Sequence, residues 1–327
     1  MIPAIGGVIL GLIALVVGGE WLIRGAVRLA ERIGVSPLMI GIVIVGCGTS
    51  LPELVACVEA ALLGAPDIAW GNVAGSNIAN VLLILGAVAL INPLRLGADN
   101  GLRDPLVGLA ASAFLLAACI MGWAHWLLGG AMLAALAVYI AWCYQQEKAI
   151  APAVLHNAPH DRAELHELAD RGLHGTPGAL WQPVLLTLVG LAVLLGGGKL
   201  LVGGAIDIAR IVGLSETLLG LTVVAIGTSL PELATALIAA RKGETALAFG
   251  SVVGSNIYNI LGIGGATMLI APGAIPGNLW PASLGMLLAS AALLVIVASL
   301  LRGIGRLIGA GLLLSYMSYL IYLAVNI

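Results

Sequence analysis

The sequence predicts an all-α membrane protein in which ten transmembrane helices form two five-helix repeats of inverted topology. Three observations carry this expectation. The 327-residue chain is 61% hydrophobic and only 9% charged, whereas a soluble globular surface needs about a quarter of its residues charged. Its apolar residues fall into roughly ten stretches long enough to cross a bilayer. A seven-residue run also recurs letter for letter 179 positions further on.

Composition closes off other classes. With 14 Lys+Arg against 16 Asp+Glu the net charge is −2, which leaves no basic face for nucleic acid. The hydrophobicity excludes disorder. Glycine (45) and proline (14) are abundant, and in transmembrane helices they permit close packing and local breaks. Cys47, Cys57, Cys119 and Cys143 fall in or beside apolar stretches and read as small buried residues, not as a disulfide framework. Met1-Ile2-Pro3 leads into apolar sequence without a basic segment, so no cleavable signal is expected.

The spans follow in order. Ile5 to Ala26 is closed by Arg24, Arg28 and Arg32, and Leu38 to Leu63 comes next. Ile68 to Ile91 ends ahead of Arg95 and Arg103. Leu106 to Met121 and Trp126 to Tyr144 complete the first half. The second half comprises Pro183 to Ala209, Thr217 to Ala240 (closed by Arg241 and Lys242), Thr245 to Ile270, Pro281 to Leu300 (closed by Arg302 and Arg306) and Ile304 to Val325. The domain division is therefore 1–144 for the first repeat, 145–180 for a linker and 181–327 for the second repeat. The linker carries His156, His160, His166 and His174 among acidic residues, at spacings that match no compact metal-ligand set. A short amphipathic helix is expected around Ala163 to Ala169. The tryptophans fall mostly near span ends, as an interfacial belt requires.

Basic residues set the orientation, because cytoplasmic loops collect Lys and Arg. If the amino terminus is outside, the odd-numbered connections are cytoplasmic and carry twelve of the 14 Lys+Arg; only Lys199 and Arg210 remain for the other side. Both termini are expected outside and the linker inside.

Gly48-Thr49-Ser50-Leu51-Pro52-Glu53-Leu54 returns as Gly227-Thr228-Ser229-Leu230-Pro231-Glu232-Leu233. The same offset carries Gly75-Ser76-Asn77-Ile78 onto Gly254-Ser255-Asn256-Ile257, and Asn80 onto Asn259. Five spans per copy is an odd number, so the second copy enters the membrane upside down. Such inverted repeats build secondary transporters with a midplane site.

Glu53 and Glu232 lie in the middle of apolar spans, where a carboxylate costs roughly 2.5–3.5 kcal/mol on insertion scales. No basic residue occupies the middle of another span, so an inorganic cation is the natural partner. Pro52 and Pro231 lack a backbone donor and free the carbonyls of Gly48 and Gly227, with Gly46 and Ala225 just before them. Thr49, Ser50, Thr228 and Ser229 add hydroxyl and carbonyl oxygens. Ser76 and Asn80 share one helix face, as do Ser255 and Asn259. These are hard oxygen ligands, which suit Na⁺ and Ca²⁺. Any single hydroxyl could equally bond its own helix backbone, and Asn77 and Asn256 read as residues that hold a helix pair together.

The doubled G-T-S-L-P-E-L and G-S-N-I-x-N segments resemble the alpha repeats of the sodium/calcium exchanger superfamily. The resemblance spans nearly the whole chain and implies an antiporter, not an enzyme, that exchanges Na⁺ for Ca²⁺ in the cell membrane. It implies ligands at Glu53, Glu232, Thr49, Ser50, Ser76, Asn80, Thr228, Ser229, Ser255 and Asn259, with the backbone oxygens of Gly46 and Ala225. The cations are transported, no cofactor is expected, and the chain should act as a monomer in the bilayer. Gating in such proteins is attributed to the first span of each repeat sliding across the others. Some members, potassium-dependent exchangers among them, carry aspartate where this chain has Asn259; two acidic ligands instead of three argue against K⁺ co-transport.

Two alternatives remain at this level. The glutamates could carry protons in an H⁺/Ca²⁺ antiporter. An intramembrane hydrolase using Ser50 or Ser229 would need a base in the bilayer, but the histidines lie in the linker or, for His125, in a short outer loop.

Overall fold

Apolar stretches of bilayer length have only one way to satisfy their own backbone as single segments, and that is the helix. The computed structural model describes residues 2–33, 37–62, 66–95, 102–123, 125–156, 180–212, 225–270, 272, 275–301 and 303–326. In chain order these form α1 (Ile2–Ile33), α2 (Pro37–Ile40), a π-helical stretch (Gly41–Gly46), α3 (Cys47–Thr49) and α4 (Leu51–Leu62). Then come α5 (Pro66–Ala79), a second π stretch (Asn80–Ile84), α6 (Leu85–Ile91), β1 (Leu94–Arg95), α7 (Arg103–Ile120) and α8 (Trp126–His156). After the linker lie α9 (Trp181–Val212), α10 (Ala225–Thr228), α11 (Leu230–Arg241), α12 (Thr245–Ile257), a π stretch (Tyr258–Gly264) and α13 (Gly265–Ile270). A short 3₁₀ turn (Gly277–Leu279), α14 (Ala282–Ile296), a last π stretch (Val297–Leu301), β2 (Gly303–Ile304) and α15 (Arg306–Asn326) complete the chain.

Among the described residues, eight helices are long and apolar enough to cross a membrane, and the bent pair Gly41–Thr49 with Leu51–Leu62 brings the number to nine. The expected span Thr217 to Ala240 is described only from Ala225 onward. The expected linker helix at Ala163 to Ala169, with His160, His166 and His174, lies outside the described residues. The described residues are nearly all helical, as expected, apart from a two-residue ladder in which β1 pairs antiparallel with β2, buried Leu94 opposite buried Ile304, so that the two connections satisfy each other's backbone. Two details differ from expectation. Helix α8 runs twelve residues past Tyr144 into the stretch assigned to the linker. Cys47 is exposed and Trp70 is 2% exposed, because rotation about the helix axis turns Cys47 outward and packs Trp70 on Gly264.

Helices α1 and α9 pack along their length. Gly11, Gly18 and Gly25 on α1 and Gly190, Gly197 and Gly204 on α9 recur every seven residues, and each set is the other displaced by 179. A side-chain carbon on Gly18 would strike the backbone of Leu194, and one on Gly197 would lie 2.8 Å from Leu15 N. Small residues are what allow such backbone approach where lipid supplies no hydrophobic drive between helices. Elsewhere α15 packs on α6, α13 on α8 and α14 on α7, and α12, with most of its residues buried, lies at the centre.

One polar cluster lies off this plan. Asp104 is buried at the start of α7, where Arg103 meets it at 2.7 and 3.1 Å and the Tyr139 hydroxyl donates to it at 2.9 Å. The Arg103 guanidinium stacks over Trp142, 5.7 Å from the ring centre, so the start of α7 is tied to α8. Removing one partner of a buried pair strands the other charge. Asp104→Ala is expected to lower unfolding stability in detergent by about 3 kcal/mol; a change within error in a thermal or denaturant melt would show that the pair is solvated.

Candidate functional site

Each copy of the repeated motif breaks a helix at its second hydroxyl residue. Helix α3 ends at Thr49 and α4 starts at Leu51, with Ser50 between them at φ −81°, ψ 5°. In the second copy Ser229 separates α10 from α11 at φ −91°, ψ 6°. Both lie in the sparsely populated region between helix and strand where many active-site residues sit. Proline two residues later explains the break, since it offers no N–H to the carbonyl four residues back and crowds it. At Ser50 the helix axis turns by 47°. The break places Glu53 and Glu232 in the first turns of α4 and α11, where the positive end of the helix dipole favours a carboxylate.

The two broken helices exchange hydrogen bonds. Ser50 Oγ donates to Glu232 Oε1 at 3.1 Å, and Ser229 Oγ donates to Glu53 Oε1 at 3.4 Å. Each glutamate is thus held by the serine of the other copy. Both carboxylates are 1% exposed.

Facing walls come from α5 and α12. The π stretch at Gly41–Gly46 crosses α12 backbone against backbone. A side-chain carbon on Gly46 would come within 3.0 Å of Ser251 O and Ser255 N, and one on Gly254 within 2.7 Å of Ile42 Cα. That closeness lets Ser255 Oγ donate to Gly46 O at 3.2 Å. Asn80 opens the π stretch that follows α5, and Asn259 lies at the start of the one that follows α12. Such π turns leave backbone out of register and gather at functional sites.

Of the expected site residues, the structure joins Ser50 to Glu232, Ser229 to Glu53 and Ser255 to Gly46; the others are placed as follows. Thr49, Ser50, Glu53, Ser76, Asn80, Ser229, Glu232, Ser255 and Asn259 are all buried, as is Gly46. Thr228 is half-buried. Ala225 opens α10, and its side chain lies outside the described ones. Thr49 sends its hydroxyl proton to Val45 O at 3.0 Å, which leaves the oxygen's lone pairs. Gly46 O already accepts from Ser50 N as well as Ser255. Ser76 Oγ donates to Asn72 Oδ1 at 3.2 Å, and Asn72 Nδ2 reaches Cys57 Sγ at 3.3 Å. Asn72 was legible as the residue one turn before Ser76 on the same face, but the motif did not include it.

Four of these buried residues keep an oxygen with no hydrogen-bond partner among the described residues: Glu53 Oε2, Glu232 Oε2, Asn80 Oδ1 and Asn259 Oδ1. Burying an acceptor unpaired costs roughly 1–3 kcal/mol, so each of these oxygens calls for a partner. Among the described residues no three His, Cys, Asp or Glu side chains come together. The arrangement thus offers two carboxylates with amide and hydroxyl oxygens, a donor set for hard cations.

Oxygen-lined acids buried between helices of bilayer length define the class, an integral membrane ion transporter. Comparison with known proteins gives the family. A model of the sodium/calcium exchanger protein family matches residues 3–145 and 182–325, and the chain belongs to that family. It is 37% identical over 323 residues to the putative antiporter CaxA of Alkalimonas amylolytica, covering 95% of this chain and 96% of that one. It is 30% identical to the sodium/calcium exchanger MaX1 of Methanosarcina acetivorans, covering 96% and 97%. Among solved structures it is similar to the sodium–calcium exchanger NCX_Mj soaked with Na⁺ and no Ca²⁺, with TM-score 0.82, 30% identity and coverage of 100% and 99%.

Proposed function

We propose that this protein exchanges Na⁺ for Ca²⁺ by alternating access around one site at the junction of two inverted repeats, residues 1–144 and 181–327. The carrying observation is the set of four unpartnered buried oxygens on Glu53, Glu232, Asn80 and Asn259. Ca²⁺ and Na⁺ compete in this reading because both need the two glutamates, with Thr49, Ser50, Ser76, Thr228, Ser229, Ser255 and the carbonyls of Gly46 and Ala225 completing the shell. The relation of the copies is supported by their matched breaks at Ser50 and Ser229 and by their crossed serine–glutamate bonds. In this scheme ten spans place both termini outside and the linker in the cytoplasm. Lys242 on the seventh connection pairs with Glu20 of α1 at 2.6 Å, as does Arg24, which is what a shared cytoplasmic side of those two ends requires.

One Ca²⁺ neutralises the two carboxylates, whereas three Na⁺ leave one positive charge, so each cycle moves a charge worth about 2.3 kcal/mol per 100 mV. Ca²⁺ flux in proteoliposomes of the purified protein, with Na⁺, K⁺ and H⁺ gradients varied separately, tests the reading. Uptake should follow an imposed Na⁺ gradient at fixed pH, ignore K⁺ and respond to an imposed potential. Uptake that follows only the H⁺ gradient would transfer the mechanism to proton exchange on the same two glutamates, and insensitivity to potential would overturn the stoichiometry.

A further inference from the structure

We propose that Asn256 is a positioning residue that makes the side chain of Asn80 an oxygen ligand. This deepens the cation-site reading and rests on it. Asn80 is 1% exposed and Asn256 7%, and the two belong to different copies of the repeat. The chain of bonds begins at the backbone carbonyl of Asn77, which can only accept. Asn256 therefore turns its NH₂ to that carbonyl, Nδ2 to O 3.5 Å, and presents its Oδ1 on the other side. That oxygen can also only accept, so Asn80 must give it Nδ2, at 2.9 Å. What remains of the Asn80 amide is Oδ1, buried and without a partner.

An amide has two chemically opposite ends of almost equal size. Rotated by half a turn, Asn80 would offer N–H donors to a cation and set two acceptor oxygens face to face against Asn256. Asn256 thus decides which end of Asn80 meets the ion, without touching the ion itself. The equivalent bond in the second copy is open. Asn259 has no partner for either amide atom, while Asn77 gives its Nδ2 to Val73 O at 2.6 Å and leaves its Oδ1 unpaired. Among the described residues, Asn80 and not Asn259 has its orientation set by a neighbouring side chain.

The test compares Asn256→Ala in the wild-type background with the same change in an Asn80→Asp background, using Ca²⁺ flux in proteoliposomes. In the wild-type background half-saturating Ca²⁺ should rise about tenfold, the worth of one hydrogen bond, with a much smaller change in maximal rate. A carboxylate presents oxygen at both ends and needs no orienting. In the Asn80→Asp background one carboxylate oxygen would face Asn256 Oδ1, acceptor against acceptor, so Asn256→Ala should not raise half-saturating Ca²⁺ there. Ca²⁺-induced thermal stabilisation of the detergent-solubilised variants reads the same affinities where flux is low. Equal losses in both backgrounds would show that Asn256 merely packs α12, and no loss in either would show that it orients nothing; each overturns the proposal. If Asn80→Ala left Ca²⁺ binding and transport unchanged, the place of Asn80 in the site would fall, a failure separate from that of Asn256.

Discussion

Replacing Glu53 or Glu232 by glutamine is expected to abolish Ca²⁺ uptake by the reconstituted protein and to reduce equilibrium Ca²⁺ binding by at least about a thousandfold. The magnitude comes from charge. At a ligand distance near 4 Å and an effective dielectric of 20, a unit charge interacts with a monovalent ion by about 4 kcal/mol, and with a divalent ion by about twice that. Even the smaller figure is roughly a factor of a thousand in affinity. Glutamine keeps the volume and the carbonyl oxygen that accepts from Ser50 or Ser229, so the fold should survive. Unfolding in detergent without ions should therefore stay near the wild-type value, which separates a lost ligand from a lost structure. Both changes should act alike, because each carboxylate has one oxygen on the opposite serine and one unpartnered. A Glu53→Gln variant with intact transport would remove Glu53 from the centre of the site.

Leucine at Gly18 acts on the other half of the mechanism. A side chain there has no room: its first carbon would already meet the Leu194 backbone and lie 2.8 Å from Gly190 O. Helices α1 and α9 must then move apart or shift along each other, at an overpacking cost of about 1–3 kcal/mol. The residues of the site come from α3 to α5, α10 to α12 and their π stretches, not from α1 or α9. If α1 and α9 slide to switch access, as the resemblance to the exchanger family implies, Gly18→Leu should lower the maximal exchange rate about ten- to a hundredfold, the rate equivalent of that cost, while leaving equilibrium Ca²⁺ binding near wild type. Paired flux and binding measurements decide it. Binding lost in step with rate would make the two helices a buttress for the site and not its gate.

Much of the candidate site was legible before any coordinates. Glu53 and Glu232 announced themselves because an acid amid apolar residues is costly without a partner, and because each sits in an identical heptapeptide. Ser76 with Asn80, and Ser255 with Asn259, followed from helical spacing. The seven-residue rhythm of Gly11, Gly18 and Gly25, repeated at Gly190, Gly197 and Gly204, was equally visible, but not that the two sets pack against each other. The Arg103–Asp104–Tyr139 cluster was not legible. Asp104 and Tyr139 are 35 residues apart, and only the packing of α7 against α8 makes them neighbours.

The amino-acid order by itself determined most of the helical stretches, where proline breaks them, which residues share a face and that one motif occurs twice. These are local properties, set within a few residues by backbone donors and by helical periodicity. The tertiary structure alone decided that Ser50 serves Glu232 and Ser229 serves Glu53, that Thr49 bonds its own helix, that Cys47 faces out and Trp70 in, and that Asn256 faces Asn80. Each depends on how far a helix is rotated about its axis and on which helix lies beside it. Spacing along a chain defines a face, but contact between distant faces comes only from the close crossing of backbones that glycines such as Gly46 and Gly254 allow.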